Sequence, residues 1–313
     1  MQVNDYLGLF ETLELYDANA FSRTFNAVEA ESDRQVSILI YYKNFPREQI
    51  VSIQPPDIDF IGLTTVYDIT EDQDFIVVPQ QIVPAGDLIT NLLPNPILSE
   101  RYISTIAFCL LHTLRVLHSN NIIVRNLSVY NIMLSNEQSC PFKIKDFYLA
   151  KILDVQIQSH IIEYDDFPAP EVLESKPYGP PSDLWSLGCI LYLLLRGLPP
   201  YPFTKKNDAT YIKEHPIVFD DDVWSTISED AREIVQGMLQ LDPQRRSTVD
   251  DLLETAWING NCSESIIEDA QADLQASLMT IRLQRSIAAA SSIELFKSFN
   301  RQKVLYNSNE GKK

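Results

Sequence analysis

No two of the four cysteines (Cys109, Cys140, Cys189 and Cys262) form a C-x-x-C pair, and they stand far apart along the chain. A disulfide scaffold and a structural zinc site are therefore not expected, and a reducing compartment suits such usage. Positive charge is also short: 25 Lys and Arg face 43 Asp and Glu, a formal net charge of −18. Like charges repel, so neither nucleic acid nor an anionic membrane is expected as a main partner. Long apolar runs are missing too. The longest, Leu184 to Leu195, is too short to cross a bilayer and reads as a buried helix. Met1 to Tyr6 lacks the basic-then-apolar order of a signal peptide. A soluble, cytoplasmic protein is the expectation.

The remaining composition is ordinary for a globular chain. With 313 residues, 45% of them hydrophobic, there is material for one large or two small domains with real cores. Residues 10 to 42 read as two or three strands, ending in the β-branched and aromatic run Val36 to Tyr42. Two further strands are predicted at Phe60–Ile69 and Phe75–Val78, with a short helix between Pro46 and Pro55. Ile103, Ile106, Ala107, Leu110, Leu114 and Leu117 recur at helical spacing behind Ser99, a predicted N-cap. Gly197 with Pro199 and Pro200 is expected to end the apolar helix, and Thr248 with Asp251 to form a capping box.

The chemistry concentrates in one stretch. Val124, Arg125, Asn126 and Leu127 are followed by Asn131 and, after a short insert, by Asp146, Phe147 and Tyr148. This order resembles H-R-D-L-x-x-x-N followed by D-F-G, the catalytic loop and metal-binding turn of the eukaryotic protein kinase-like family. Ala169, Pro170 and Glu171 keep A-P-E, Ser182 to Leu191 resembles the family's central buried helix, and Leu241 to Thr248 with Trp257 resembles its terminal helices. The likeness spans about residues 8 to 260 and is nearest to the serine/threonine, calcium/calmodulin-dependent kinase group. It implies an α+β, bilobal protein-kinase-like fold. A small β-rich N-lobe would occupy 1–82, a larger helical C-lobe 83–260, and a helical C-terminal extension 261–313.

The departures from the pattern fall on the catalytic and phosphate-binding positions. In working members the Asp of H-R-D handles the substrate hydroxyl proton, and the Asn and the D-F-G Asp hold magnesium. Asn126 stands at the base position, and a neutral amide neither takes a proton nor offers a negative charge. Loss of a general base typically costs on the order of 10²–10⁴ in rate. Ser128 stands where a lysine commonly contacts the transferred phosphoryl group. The phosphate-gripping lysine of V-A-I-K falls on Leu39, and Lys43, four residues on, is about 13 Å farther along a strand. The glycine-loop positions hold Asp17, Asn19 and Ser22, none of which has the backbone freedom of glycine. Glu48, the sole acidic candidate in the short helix, has no lysine to meet, and Tyr148 replaces the D-F-G glycine. Asn131 and Asp146, the cofactor and metal positions, are kept.

The framework positions are kept as well. The resemblance implies a buried ion pair between Glu171 and Arg246, and an Asp183 bonded to the catalytic-loop backbone. Phe147 and Arg125 are structural in the same sense. His118 is expected to be a hydrogen-bonded packing residue. Arg125 often grips a phosphorylated activation-loop residue in the family. Here Glu163, Asp165 and Asp166 are expected to neutralise it, with Ser159 and Tyr164 as modifiable alternatives; a solvated acidic loop is the other reading.

Beyond residue 260, Ile267, Ala270, Leu274, Leu278, Ile281 and Ile287 recur at helical spacing, with acidic residues first and basic ones later, as suits the helix dipole. A partner groove could receive this helix, with Phe296 and Phe299 as anchors; packing on its own domain is the plainer reading.

The sequence thus predicts a pseudokinase: a catalytically impaired kinase-like domain acting as scaffold or allosteric regulator in signalling. Its expected partners are proteins, an active kinase among the candidates, and no cofactor is expected beyond weakly bound ATP with Mg²⁺ or Mn²⁺. Two other readings stay open, a low-activity atypical serine/threonine kinase and a non-catalytic binder of ATP or metal.

Overall fold

The computed structural model describes residues 3–18, 22–42, 61–73, 75–125, 127–145, 151–152, 167–219 and 222–291. Two compact units emerge, Met1–Arg47 with Thr65–Ile82 and Thr280–Lys313, and Glu48–Thr64 with Val83–Met279.

The first unit opens with helix α1 (Val3–Leu7) and builds one antiparallel sheet from β1 (Phe10–Ala18), β2 (Ser22–Glu29), β3 (Arg34–Tyr42), β4 (Thr70–Glu71) and β5 (Phe75–Gln81). Their order across the sheet is β1-β2-β3-β5-β4. The period-2 alternation of a strand sends successive side chains to opposite faces. Val36, Ile38 and Ile40 accordingly share one face with Ala27, Phe75 and Val77, and α1 closes over it through Tyr6 and Leu7. Tyr6 meets Phe10 edge-on, with ring centroids 5.6 Å apart. Burying the Val36, Ile38 and Ile40 side chains stabilises this layer by roughly 1.5–3 kcal/mol each.

The expected strand over Phe60–Ile69 is not formed in its described part. Leu63 bridges Ile144 and Val66 bridges Gln80, so the chain changes partner within three residues and no continuous register develops. The helix predicted between Pro46 and Pro55, Glu48 and Lys43 lie outside the described residues.

The second unit is largely helical. Asp87 caps α2 (Leu88–Leu92) by accepting from the Thr90 amide. Ser99 caps α3 (Glu100–Ser119), accepting from the Tyr102 amide at 3.3 Å, and the six predicted apolar positions of α3 are all fully buried. Two short strand pairs follow: β6 (Ile122–Ile123) pairs with β9 (Lys151–Ile152), and β7 (Ile132–Leu134) with β8 (Phe142–Ile144). After α4 (Pro170–Leu173) comes α5 (Pro180–Arg196), buried without a break from Ser182 to Leu195. An apolar circumference of this kind marks a helix at the centre of its unit.

Gly188 lets α5 approach α8 (Glu229–Met238) closely: a Cβ there would lie 2.8 Å from Met238 Cβ. Gly197 ends α5 at φ +85°, and the Ala270 carbonyl comes too close for any side chain at that position. The unit also contains α6 (Ala209–Glu214), α7 (Asp222–Thr226) and α9 (Val249–Leu253), the last opened by the expected Thr248–Asp251 capping box. The chain then enters α10 (Gln271–Ser291), tied to the end of α5 by Ser277 Oγ on Gly197 O (2.7 Å) and Arg196 on Asp273 (2.9 Å). Of the apolar positions predicted beyond residue 260, Ile267, Ala270, Leu274, Leu278 and Ile281 are buried, whereas Ile287 is 58% exposed. Among the described residues no helix is long and apolar enough to cross a membrane.

Two polar networks hold the helices in place. Arg246 has a fully buried guanidinium that grips both Glu171 oxygens at 2.6 and 2.7 Å and also donates to the carbonyls of Pro181 (2.9 Å) and Gln240 (2.8 Å). Its Cζ lies 5.0 Å from the centre of the Trp185 ring. This is the expected ion pair, in the bidentate geometry that arginine favours. Sequence reading missed the second network. Glu100, 3% exposed at the start of α3, accepts from Trp257 Nε1 (2.7 Å), the Ser228 amide (2.9 Å) and Ser228 Oγ (2.6 Å).

Candidate active site

The loop from Val124 to Asn131 is built by anchoring its backbone. Asn121, at φ 57°, turns the chain out of α3 into β6, and Arg125 adopts φ 70°. Such a φ is uncommon for residues other than glycine and persists where the surroundings enforce it. The enforcing group is Asp183 on α5, 1% exposed, which accepts from the Val124 and Arg125 amides at 2.9 Å each. His118 Nε2 bonds the same carboxylate at 2.8 Å. Asp183 therefore does what the resemblance implies. His118 is hydrogen-bonded as expected, with a partner that sequence reading did not name. Val124, Leu127 and Val129 root the loop in the core at 0% exposure.

Asn131 closes the loop. Its Oδ1 accepts from the Ser128 amide (2.8 Å), its amide donates to Ser128 O (3.2 Å), and its carbonyl accepts from the Lys145 amide (2.8 Å). Ser128 Oγ accepts from the Tyr130 amide at 3.3 Å. Ser128 is 6% exposed, so this hydroxyl serves the turn and offers nothing of a lysine's charge or reach.

Arg125, 7% exposed, donates from Nε to Tyr178 Oη at 3.0 Å, a contact with no sequence signal behind it. Its buried Nη2 has no hydrogen-bond partner among the described residues. Asn126, Asp146, Phe147 and Tyr148 lie outside the described residues, as do Ser159, Glu163, Tyr164, Asp165 and Asp166, so the expected carboxylate partners of Arg125 are not placed. No cluster of three His, Cys, Asp or Glu side chains suited to a metal ion occurs among the described residues.

In the sheet unit the site residues can be followed strand by strand. Leu39 is 1% exposed in β3, with Thr24 as its register partner on β2 and Val78 on β5. These neighbours are aliphatic or hydroxylic, and none carries charge. Of the cations described on the strands of this sheet, Arg23 pairs with Ile40 in register, which puts it on the face opposite Leu39. Arg34 is held by Glu29 (2.9 Å) and stacks over Tyr67 at 3.8 Å. Neither replaces a phosphate-gripping lysine at position 39. Asp17 is in β1 opposite Thr24, and Ser22 opens β2 at 1% exposure. Asn19 is outside the described residues, and so are the side chains of Asp17 and Tyr42. The residues described around Leu39 thus do not suit the phosphates of a nucleotide.

Comparison with known proteins follows the same outline. Residues 40–258 match the model of the protein kinase domain. The chain is 28% identical over 236 residues to calcium/calmodulin-dependent protein kinase type 1 of Caenorhabditis elegans, covering 74% of this chain and 68% of that protein. It is 26% identical over 301 residues to calcium/calmodulin-dependent protein kinase type 1B of Rattus norvegicus, with 93% and 87% covered. Calcium-dependent protein kinase 24 of Arabidopsis thaliana shares 34% identity over 191 residues, 60% of this chain but 33% of that protein.

Proposed function

The chain belongs to the protein kinase domain family, with its α+β, bilobal fold, and within that family we propose that it is a pseudokinase, a signalling scaffold or allosteric module with little or no phosphoryl transfer. One observation carries the reading. Leu39, at the position of the phosphate-gripping lysine, is buried with the uncharged register partners Thr24 and Val78, and no cation described on the strands of its sheet substitutes for it. A charge-assisted hydrogen bond is worth roughly 1.5–3 kcal/mol, or one to two decades of nucleotide affinity. Asn126 at the base position and Ser128 at the phosphoryl-contacting position add to the deficit. Positioning and charge supply nearly all of catalysis in this class, so these losses bear on the transfer itself.

The framework positions argue in the other direction only for shape. Glu171, Arg246 and Asp183 are kept and engaged, which supports a domain retained for its surface, with protein partners and an active kinase among the candidates. One second reading, a non-catalytic binder of metal or ATP, is favoured by the retention of Asn131 and Asp146 at the metal-holding positions.

The deciding experiment is the melting temperature of the unphosphorylated protein with millimolar ATP, with and without Mg²⁺ or Mn²⁺, alongside an autophosphorylation assay. No shift and no turnover is expected. A metal-dependent shift without turnover would establish the binder. Turnover abolished by Asp146→Ala would overturn the proposal.

A further inference from the structure

A groove runs between α8 and α9, and its floor and rim differ in chemistry. α8 packs on α5 and α9 on α3, so the two helices are held by different neighbours and a gap stays between them. The chain closes one end of it: the Ser247 amide donates to Gly237 O at 3.1 Å, and a Cβ at Gly237 would collide with Ser247 Oγ. The gap has a volume of about 310 Å³. Ile234, Leu252 and Trp257 are the buried, apolar part of its lining, and Asp230, Glu233 and Asp251 stand exposed around them. We propose that this groove docks an arginine-bearing segment of a protein partner. The guanidinium would sit among the carboxylates, with its methylene stem and an adjoining aliphatic residue on the apolar floor.

The carboxylates are uncommitted. Helix residues three apart share a face, so Asp230 and Glu233 present their charges side by side, with Cβ atoms ~5–6 Å apart. Neither has a hydrogen bond or an ion pair among the described residues. Arg232, between them in sequence, is paired with Glu229 instead. Asp251 is half used. Both of its bonds from Thr248, the hydroxyl at 2.7 Å and the amide at 2.9 Å, fall on Oδ2, and Oδ1 is left over. Those bonds hold its carboxyl below the ordinary range, which keeps the charge on at neutral pH. No lysine, arginine or histidine lines the groove to neutralise the rim.

An unpaired anionic rim over an apolar floor matches one kind of side chain. Arginine joins a charged fork of N–H donors, able to serve several acceptors at once, to an aliphatic stem. The stem covers apolar surface while the head stays with its counter-charges. A metal ion is a poorer match, since no cluster of three His, Cys, Asp or Glu suited to one occurs among the described residues. Nucleic acid or an acidic peptide would meet like charge. The volume lies at the low end of the ~300–1,000 Å³ range of ligand sites, which limits the occupant to a short stretch of chain. A net charge of −18 also speeds the encounter with a basic segment. The groove uses none of Leu39, Asn126 or Asn131, so the inference stands apart from the pseudokinase reading.

The test uses the full chain and a fluorescein-labelled peptide, Gly-Ser-Leu-Arg-Leu-Ser-Gly, with a twin carrying Gln in place of Arg. Fluorescence polarisation should show saturable binding of the Arg peptide that weakens as salt rises. The Gln twin should bind about ten- to a hundredfold more weakly, the scale of a lost charge-assisted hydrogen bond. Asp230→Asn with Glu233→Gln should weaken the Arg peptide by a similar factor; both positions are exposed, so the melting temperature should stay near that of the parent. Glu31→Gln, an exposed carboxylate in the turn between β2 and β3, should change nothing. Methyl NMR locates the peptide: the Ile234 and Leu252 methyls should shift on titration, and those of Leu187 inside α5 should not. Equal binding by the Gln twin, unchanged binding by the double variant, unmoved Ile234 and Leu252 methyls, or no binding at millimolar peptide would each overturn the proposal. A concentration-dependent dimer that the double variant disperses would also overturn it, by giving the face to a second copy of the chain.

Discussion

Replacing Leu39 by lysine, the residue that working relatives of this fold carry there, tests whether a phosphate site lies waiting behind one substitution. The register surrounds position 39 with Thr24 and Val78, and the site is 1% exposed. Leu39→Lys keeps most of the buried methylene surface, so the cost falls on the introduced ammonium. Buried lysines have folded pKa values down to about 5–6, against about 10.4 unfolded. The unfolded chain then binds more protons across that window, so stability rises with pH and is lowest on the acid side. At about pH 7 the deficit relative to alkaline solution is roughly 1.36 kcal/mol for each of about three units, or ~4–5 kcal/mol. For a large domain this lowers Tm by roughly 8–16 °C. The assay is thermal unfolding from pH 6 to 10, with Leu39→Met as a control for shape, each with and without ATP and Mg²⁺. The control should stay near wild type and Leu39→Lys should regain stability as pH rises, with no nucleotide effect. A Leu39→Lys protein that melts with wild type at neutral pH, or that ATP stabilises by several degrees, would show an anionic site ready for the cation and sink the reasoning.

Other outcomes follow from the networks. Glu171→Gln leaves the buried Arg246 guanidinium without its counter-charge and should cost ~3–5 kcal/mol in denaturant unfolding, while Glu171→Leu with Arg246→Met should recover most of the loss. Glu100→Ala strands the Trp257 Nε1–H and both Ser228 donors. At about 1–3 kcal/mol for the buried Trp257 donor, with smaller losses at the part-buried Ser228 donors, a total of ~2–4 kcal/mol is expected, read by the same unfolding curve. Gly188→Ala forces a methyl against Met238 and should cost ~1–3 kcal/mol, with chemical denaturation as the check. Burial raises the phenol pKa of Tyr201, and burial with the hydrogen bond to Asp68 raises that of Tyr6. A group raised in the folded state contributes stability that is complete below its unfolded pKa of about 10 and lost above it. Ultraviolet titration should therefore show these two phenols ionising after the others, with unfolding stability falling from about pH 10 upward.

Features governed by local rules were readable from the chain. The apolar period of α3, the Ser99 cap, the Thr248–Asp251 box and the glycine stop at 197 each need only a few neighbouring residues. Glu171, Arg246 and Asp183 were readable through likeness to a known family, and their bonds follow that pattern. Contacts between distant positions were not. Glu100 meets Ser228 and Trp257, 128 and 157 positions away, and a lone glutamate at a helix start looks the same whether solvated or buried. Tyr178 bonded to Arg125 is equally silent in one dimension. Phe60–Ile69 misled because β-branched residues report a preference for extended backbone, not the presence of one continuous neighbour.

Asp183 holds the loop by peptide N–H groups, which every residue except proline supplies. The anchorage is therefore blind to side-chain identity at 124 and 125, where valine sits in place of the family's histidine without loosening either bond. A lineage of such domains can drift in its chemistry while its architecture stays under separate selection, because the carboxylate that shapes the loop and the groups that would act from it are different residues.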